Sequence, residues 1–356
     1  MKSPTAQIPK NRVAVRFDSI QAMRGVAAIA VVYYHIFVIA GRFLDLPYRG
    51  PLAEMGNLGV DFFFVLSGFI ITWVHFFDFG KRSEVLRYAA KRAVRIYPLL
   101  WIIISFKLAS VMAFPAISPA SKDYAKTVTA SFLLIPSASG YIIDVQWTLV
   151  YEATFYVLFG IALLCGKRGA VVLASLWLTS IAIAIATRTE LGPASPLQIL
   201  LSARNVQFLA GALTAVVLRQ RVLTLGQSGV VGALGTAATA LGLAAGLRSP
   251  IFWAAPFSCL VAAGASLDVM RFWRIPRIAV LLGDASYSIY LTHTSVQMVV
   301  IVMGKKLGFP FGFFGQVLLH FTGAASVLVA LLCYRQIEKP ILAYFHRRLV
   351  RKTGAS

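Results

Sequence analysis

The sequence predicts an all-α, polytopic membrane protein, with about ten transmembrane helices around a polar cavity and both termini in the cytoplasm. Three observations carry that prediction. Of the 356 residues, 58% are hydrophobic and only 13% charged, with a mean hydropathy of +0.76, well above the composition of a water-soluble domain. The apolar residues gather into ten stretches of about 20, each long enough to cross a hydrocarbon core of about 30 Å. The basic residues fall between those stretches and favour one side of the membrane.

Taken in order, residues 1–18, MKSPTAQIPKNRVAVRFD, are basic and polar. No small-residue cleavage site follows a short apolar core, so they read as a cytoplasmic tail and not as a removed leader. The first span is 19–41, and the second and third, 57–77 and 95–113, flank a strongly basic stretch at 81–95. The longest loop, 114–144, contains FPAISPA and PSASG, rich in turn formers, and is expected on the outer side, where it could cap a site. Spans four and five, 145–165 and 169–187, are joined through Lys167 and Arg168. Spans six and seven, 198–218 and 225–247, flank Arg219 and Arg221, and the seventh contains GVVGALGTAATALGLAAG, whose small residues permit close helix packing. Spans eight and nine, 251–270 and 279–303, are separated by Arg271, Arg274 and Arg277. The tenth, 312–334, leads into a second basic tail at 341–356.

With both termini inside, the inner segments hold 24 lysines and arginines and the outer loops eight, while Lys107 and Arg204 fall within spans. That asymmetry sets the orientation. The same arrangement explains the formal charge of +21 without nucleic acid, because the cations sit at membrane boundaries and form no continuous patch. Cys165, Cys259 and Cys333 lie in or beside apolar segments with no metal-ligand spacing and no even framework, and read as packing residues. There is no internal repeat, soluble domain or low-complexity tract.

Ionisable residues inside a membrane are costly, so each one needs a reason. The stretch RGVAAIAVVYYH at 24–35 puts Arg24 and His35 eleven residues apart in one apolar run. At about 100° and 1.5 Å per residue they share one stripe of a helix, roughly 16 Å apart along it. Asp61 in GNLGVDFFFVLSGF, Glu152 in QWTLVYEATFYVLF and His293 in GDASYSIYLTHTSVQ join His35 at a depth of roughly 6–11 Å below the outer surface, counting about 1.5 Å of rise per residue. Four distant segments thus place ionisable groups in one layer, and convergence in a cavity is the expectation. Tyr290 and His293 are three apart and share a helix face.

A second layer is cationic and lies toward the inner side. Arg24 is near the start of the first span, and RYAAKRAVRIYPLLW supplies Arg87, Lys91, Arg92 and Arg95. The positive-inside rule accounts for Arg87 and Lys91. Arg92 and Arg95 are three apart, so they face one way and can grip phosphate in fork geometry. Gly59 and Gly68 are read as points of close helix approach, and Ser67, His75, His320, His346 and Glu338 as structural or without an assigned role.

RFDSIQAMRGVAAIAVVYYH, GVDFFFVLSGFIIT, RYAAKRAVRIYPLLW, WTLVYEATFYVLF, ASYSIYLTHT and the terminal IEKP, in that order, resemble membrane acyltransferase family 3. These are bacterial transmembrane O-acyltransferases of O-antigen, exopolysaccharide and Nod factor. The motifs run from residue 16 to 340, and the compact chain is similar to the exopolysaccharide-production type. One departure is Thr148 in the tryptophan motif, where many members have serine; the hydroxyl is kept.

The resemblance implies a transmembrane acyltransferase domain over 19–340 in the bacterial inner membrane, an acyl-CoA donor, usually acetyl-CoA, bound from the cytoplasm, and no metal. It further implies an acceptor hydroxyl on the outer side, on a polysaccharide or a lipid-linked oligosaccharide. On that reading Arg24, Arg92 and Arg95 hold CoA phosphates, and His35 is the base beside the acceptor hydroxyl. Glu152 or Asp61 would fix the tautomer of His35, and Tyr290 and His293 would contact the acyl carbonyl or the sugar. Direct transfer and an acyl-histidine intermediate both demand a neutral imidazole. A polysaccharide exporter without catalysis is the rival class. It would need a cavity too, but its sites use broken helices in repeated halves.

Overall fold

The computed structural model describes residues 15–44, 51–113, 123–192, 194–308 and 313–353. Every regular element among them is helical. In chain order they are α1 (Asp18–Leu44), α2 (Pro51–His75), α3 (Arg82–Ala113), α4 (Tyr124–Leu133), α5 (Gln146–Ala186), α6 (Pro196–Leu200) and α7 (Asn205–Gln220). Then come α8 (Leu225–Ala244), α9 (Pro250–Val269), α10 (Arg277–Asp284), α11 (Ser286–Lys306), α12 (Phe313–Cys333), a π-helix (Tyr334–Glu338) and α13 (Lys339–Thr353). Lipid offers backbone groups no partners, so a helix, which pairs them internally, is the form an apolar segment takes there. Most of the expected tail at 1–18, both chain ends and the FPAISPA part of the 114–144 loop lie outside the described residues.

Among the described residues, seven helical segments are long and apolar enough to cross a membrane. The protein is a multi-pass membrane protein. One of the seven, Gln146–Ala186, has 41 residues and is broken at Gly166, whose φ of 71° and ψ of 179° are not helical. It takes up both 145–165 and 169–187, and at about 1.5 Å per residue its length of roughly 60 Å suffices for two crossings. Only glycine adopts such a φ without strain, and it falls beside Lys167 and Arg168, where the sequence places a join. The expected spans 225–247 and 279–303 also fold as helices, though too polar in composition to count among the seven. Thr224 starts the first of them with a capping box, its hydroxyl accepting from the Gln227 N–H at 3.3 Å while Gln227 Oε1 accepts from the Thr224 N–H at 3.0 Å.

By its contacts the chain forms two compact units. The first comprises the chain up to Tyr34, Arg49–Asp78 and Ala203–Ser286. Its core joins α2, α7 and α9 through Phe62, Leu66, Phe69, Trp73, Leu218, Trp253 and Phe257. Between lipid-solvated helices the hydrophobic effect gives little, so close packing must hold them. Glycines allow it. A Cβ at Gly68 would lie 2.0 Å from the Phe208 carbonyl oxygen, and one at Gly211 would lie 1.9 Å from the Val65 carbonyl oxygen. The α2 and α7 backbones therefore touch at a reciprocal pair of glycines. Arg219, at the end of α7, stacks 4.0 Å from the centroid of the Trp73 ring and donates to the Trp73 carbonyl at 2.7 Å.

The second unit comprises His35–Tyr48, Phe79–Ser202 and Tyr287–Ser356. Here α3 and α5 pack through Tyr88, whose hydroxyl donates to the Tyr156 carbonyl at 3.0 Å and whose ring lies 5.5 Å from that of Phe159. Tyr287 of α11 donates to the Ile96 carbonyl at 2.8 Å. The described part of the 114–144 segment is drawn into the bundle. Carbonyls at the end of a helix lack intrahelical partners, and those of Phe132 and Leu133 accept from Trp101 Nε1 at 2.9 Å and the Tyr97 hydroxyl at 3.3 Å. Tyr97 is two residues beyond Arg95, and Tyr290, which bonds the Val145 carbonyl, is two beyond Ser288; Arg95 and Ser288 share Glu338.

Candidate active site

The site is built on two residues of the second unit, one from the part of α1 that begins at His35 and one from α11. α1 carries His35 and α11 carries His293, which is completely buried. His293 Nε2 and His35 Nδ1 are 3.2 Å apart, with ring centroids at 4.9 Å and planes at 66°. The other ring nitrogen of His293, Nδ1, is 3.0 Å from the Ile289 carbonyl oxygen, one turn back on α11.

Hydrogen-bond logic assigns the protons. A carbonyl oxygen only accepts, so His293 Nδ1 carries hydrogen. In the neutral ring Nε2 is then the acceptor, and His35 Nδ1 must donate to it. A neutral His35 therefore keeps its lone pair on Nε2. The chain from Ile289 through His293 fixes which nitrogen of His35 can take a proton. The ring nitrogen for which a carboxylate was sought meets a second imidazole.

Each of the two expected carboxylates has partners of its own. Glu152 accepts from the Tyr156 hydroxyl, one turn along α5. Asp61, buried in the first unit, accepts from Arg204 Nη1 at 3.1 Å and Gln207 Nε2 at 2.9 Å. Gln207 also donates to the Pro250 carbonyl at 3.0 Å, so α2, α7 and α9 meet at this point. Tyr290 lies beside His293, ring centroids 5.9 Å apart, but its hydroxyl is 2.6 Å from Thr148 Oγ1 and 3.1 Å from the Val145 carbonyl oxygen. Thr148 Oγ1 reaches the same carbonyl at 3.0 Å. One hydroxyl donates to the carbonyl and the other donates to its neighbour, so two protons close the start of α5 against α11.

The expected cations take three different positions. Arg24 Nη1 donates to Gln21 Oε1 at 3.0 Å on α1, in the first unit. Arg92 lies 5.8 Å from the Tyr88 ring and 5.7 Å from the Tyr156 ring, and its buried Nε–H has no acceptor among the described residues. Arg95 forms an ion pair with Glu338, which is 2% exposed and also accepts from Ser288 Oγ at 2.6 Å. Arg92 and Arg95 line a cavity of about 470 Å³ with Lys91, and Lys339 and His346 of α13 line its other side. Along α11, Ser288 and His293 are five residues apart, so the Glu338 level lies about 7.5 Å of rise from the histidine pair.

Ser288, Tyr156 and Gln207 carry connections that the sequence reading left unassigned, and Glu338, read as structural, pairs with Arg95. A buried carboxylate at the end of an apolar span, followed by Lys339, was the available signal for Glu338.

Comparison with known proteins identifies the family. The profile of acyltransferase family 3, described as an acyltransferase domain, matches residues 17–335. The exopolysaccharide production protein ExoZ of Rhizobium meliloti (strain 1021) is 31% identical over 301 residues, covering 81% of this chain and 90% of ExoZ. The acyltransferase MdmB of Streptomyces mycarofaciens is 27% identical over 332 residues, covering 83% of each chain. No solved structure gives a match. A profile spanning nearly the whole chain, with a relative above 30% identity over four fifths of it, shows that the chain belongs to membrane acyltransferase family 3 and is an acyltransferase for groups other than aminoacyl groups.

Proposed function

We propose that the protein is an O-acyltransferase of the bacterial inner membrane. It takes an acyl group, acetyl in the simplest case, from cytoplasmic acyl-CoA to a hydroxyl of a surface or exported polysaccharide on the periplasmic side. The observation that carries the chemistry is the His35–His293 contact, which leaves the basic nitrogen of His35 defined. The exopolysaccharide role in the name of the similar ExoZ supports a polysaccharide acceptor.

His35 Nε2 takes the proton of the acceptor hydroxyl while its oxygen attacks the thioester carbonyl. The tetrahedral intermediate then expels the thiolate, which recovers that proton, giving the ester and free thiol. His293 accepts the Nδ1–H of His35 throughout, which favours the imidazolium while it exists. Arg92, whose guanidinium lies over two tyrosine rings and lines the cavity, binds a donor phosphate. Arg95 is held by Glu338 and shapes the cavity wall.

Sealed inverted membrane vesicles test the reading. Labelled acetyl-CoA added outside them should yield alkali-labile label in glycan, because their outer face is the cytoplasmic one. Label in right-side-out vesicles alone would reverse the orientation, and glycan movement without new ester would replace transfer by transport.

A further inference from the structure

The cavity beside Arg92 has a second wall with its own pattern. In α13, residues 339, 342, 343 and 346 all line the cavity, and their spacing of three, four and seven puts them on one helical stripe. Lys339 and His346 are the polar members of that stripe, and both are exposed. Glu338 ends the π-helix (Tyr334–Glu338) and is buried on Arg95 and Ser288, while the next residue, Lys339, about 100° around the helix, lines the cavity.

Charge accounting identifies what the cavity takes. Arg95 is neutralised by Glu338, and among the described residues the remaining lining includes Arg92 and Lys339 and no aspartate or glutamate. Arg92 brings a buried N–H without an acceptor among the described residues. A dianionic phosphate is matched by several cations on opposite sides, an arginine offering a planar fork and a lysine a mobile point charge.

We infer that α13 is half of the donor site: Lys339 and His346 hold the phosphates at the nucleotide end of acyl-CoA from the side facing Arg92. The inference rests on the acyl-CoA reading above. It makes the C-terminal helix a determinant of donor affinity, and the stripe of 339 and 346 the part that matters. Holding the handle there contributes binding away from the reacting carbonyl, where it can position the thioester.

The test is titration of purified full-length protein in lipid nanodiscs with CoA and with pantetheine, which lacks the phosphates. Lys339→Gln and His346→Gln are compared with Arg347→Gln, a cation of the same helix that does not line the cavity. Lys339→Gln should weaken CoA about tenfold or more, His346→Gln less, and Arg347→Gln not at all. Pantetheine binding should be equal in all four proteins. Wild-type CoA affinity in both cavity variants, with Arg92→Lys weakened, would overturn the role of α13 and leave the donor reading intact. A wild type that binds no CoA while its membranes still transfer acyl groups would overturn the donor reading and this inference with it. Loss of stabilisation by phosphatidylglycerol nanodiscs in the variants, with CoA affinity unchanged, would reassign the cavity to a lipid headgroup and overturn the inference as well.

Discussion

His35 Nδ1 lies 3.2 Å from His293 Nε2, although 258 residues separate the two. Because His293 Nδ1 is bonded to the Ile289 carbonyl, His293 holds His35 in the tautomer with a basic Nε2. In the proposed mechanism His293 would play the part that a carboxylate plays in a serine-hydrolase triad, but as a neutral acceptor.

Replacement of His293 should therefore act on turnover. His293→Leu removes the acceptor for the His35 N–H, and an unmet polar group there costs about 1–3 kcal/mol, or roughly 5- to 150-fold in kcat. The KM for acyl-CoA should stay within about twofold, since the donor phosphates are held elsewhere. His293→Gln keeps an acceptor and should recover part of the rate. Steady-state kinetics on purified protein measures the split, and a pure KM effect would show that His293 binds substrate instead.

Glu338 makes a stability prediction. Removing one partner of a buried ion pair leaves the other charge uncompensated, at a cost of about 3–5 kcal/mol. Glu338→Ala should then lower the thermal midpoint of the purified protein strongly. The Arg95→Met, Glu338→Leu double variant should be more stable than Glu338→Ala, since neither charge is left behind. Equal losses would mean that Ser288 and the π-helix, and not the charge pair, set the stability of that corner.

The crossing of α2 and α7 is one of the closest backbone approaches in the first unit. A methyl at Gly68 or Gly211 would meet a backbone carbonyl at about half of normal contact distance. Neither backbone can rotate away, so the helices must part. Gly68→Ala or Gly211→Ala should cost about 3 kcal/mol, the upper range of overpacking, read as reduced folded yield in detergent. Gly226 has nothing within 4 Å of a built Cβ, and Gly226→Ala serves as the tolerated control.

Much of this was legible in the sequence, and its failures have physical causes. Depth counting put His35 and His293 in one layer, but sequence spacing carries no information on azimuth, so their direct contact could not be foreseen. Arg204 stood as an unexplained cation inside a span. Its pairing with Asp61 follows the same depth rule, since both lie a few residues into spans entered from outside. Glu338 reads as structural from its place before Pro340, but its partner Arg95 lies 243 residues away and cannot be read from local sequence. The segment before Val145 reads as a loop from its turn formers. Its contacts with the hydroxyl and indole donors of Tyr97, Trp101 and Tyr290 on distant helices are not revealed by local composition.

The central claim is that His35 is the base of acyl transfer. His35→Ala, expressed and inserted at wild-type level, is assayed in inverted vesicles for label moved from acetyl-CoA to glycan ester. Loss of a general base costs about 10²–10⁴-fold, so ester formation should fall by at least a hundredfold while CoA affinity of the purified variant is kept. Ester formation at the wild-type rate in a well-inserted His35→Ala protein would contradict the account.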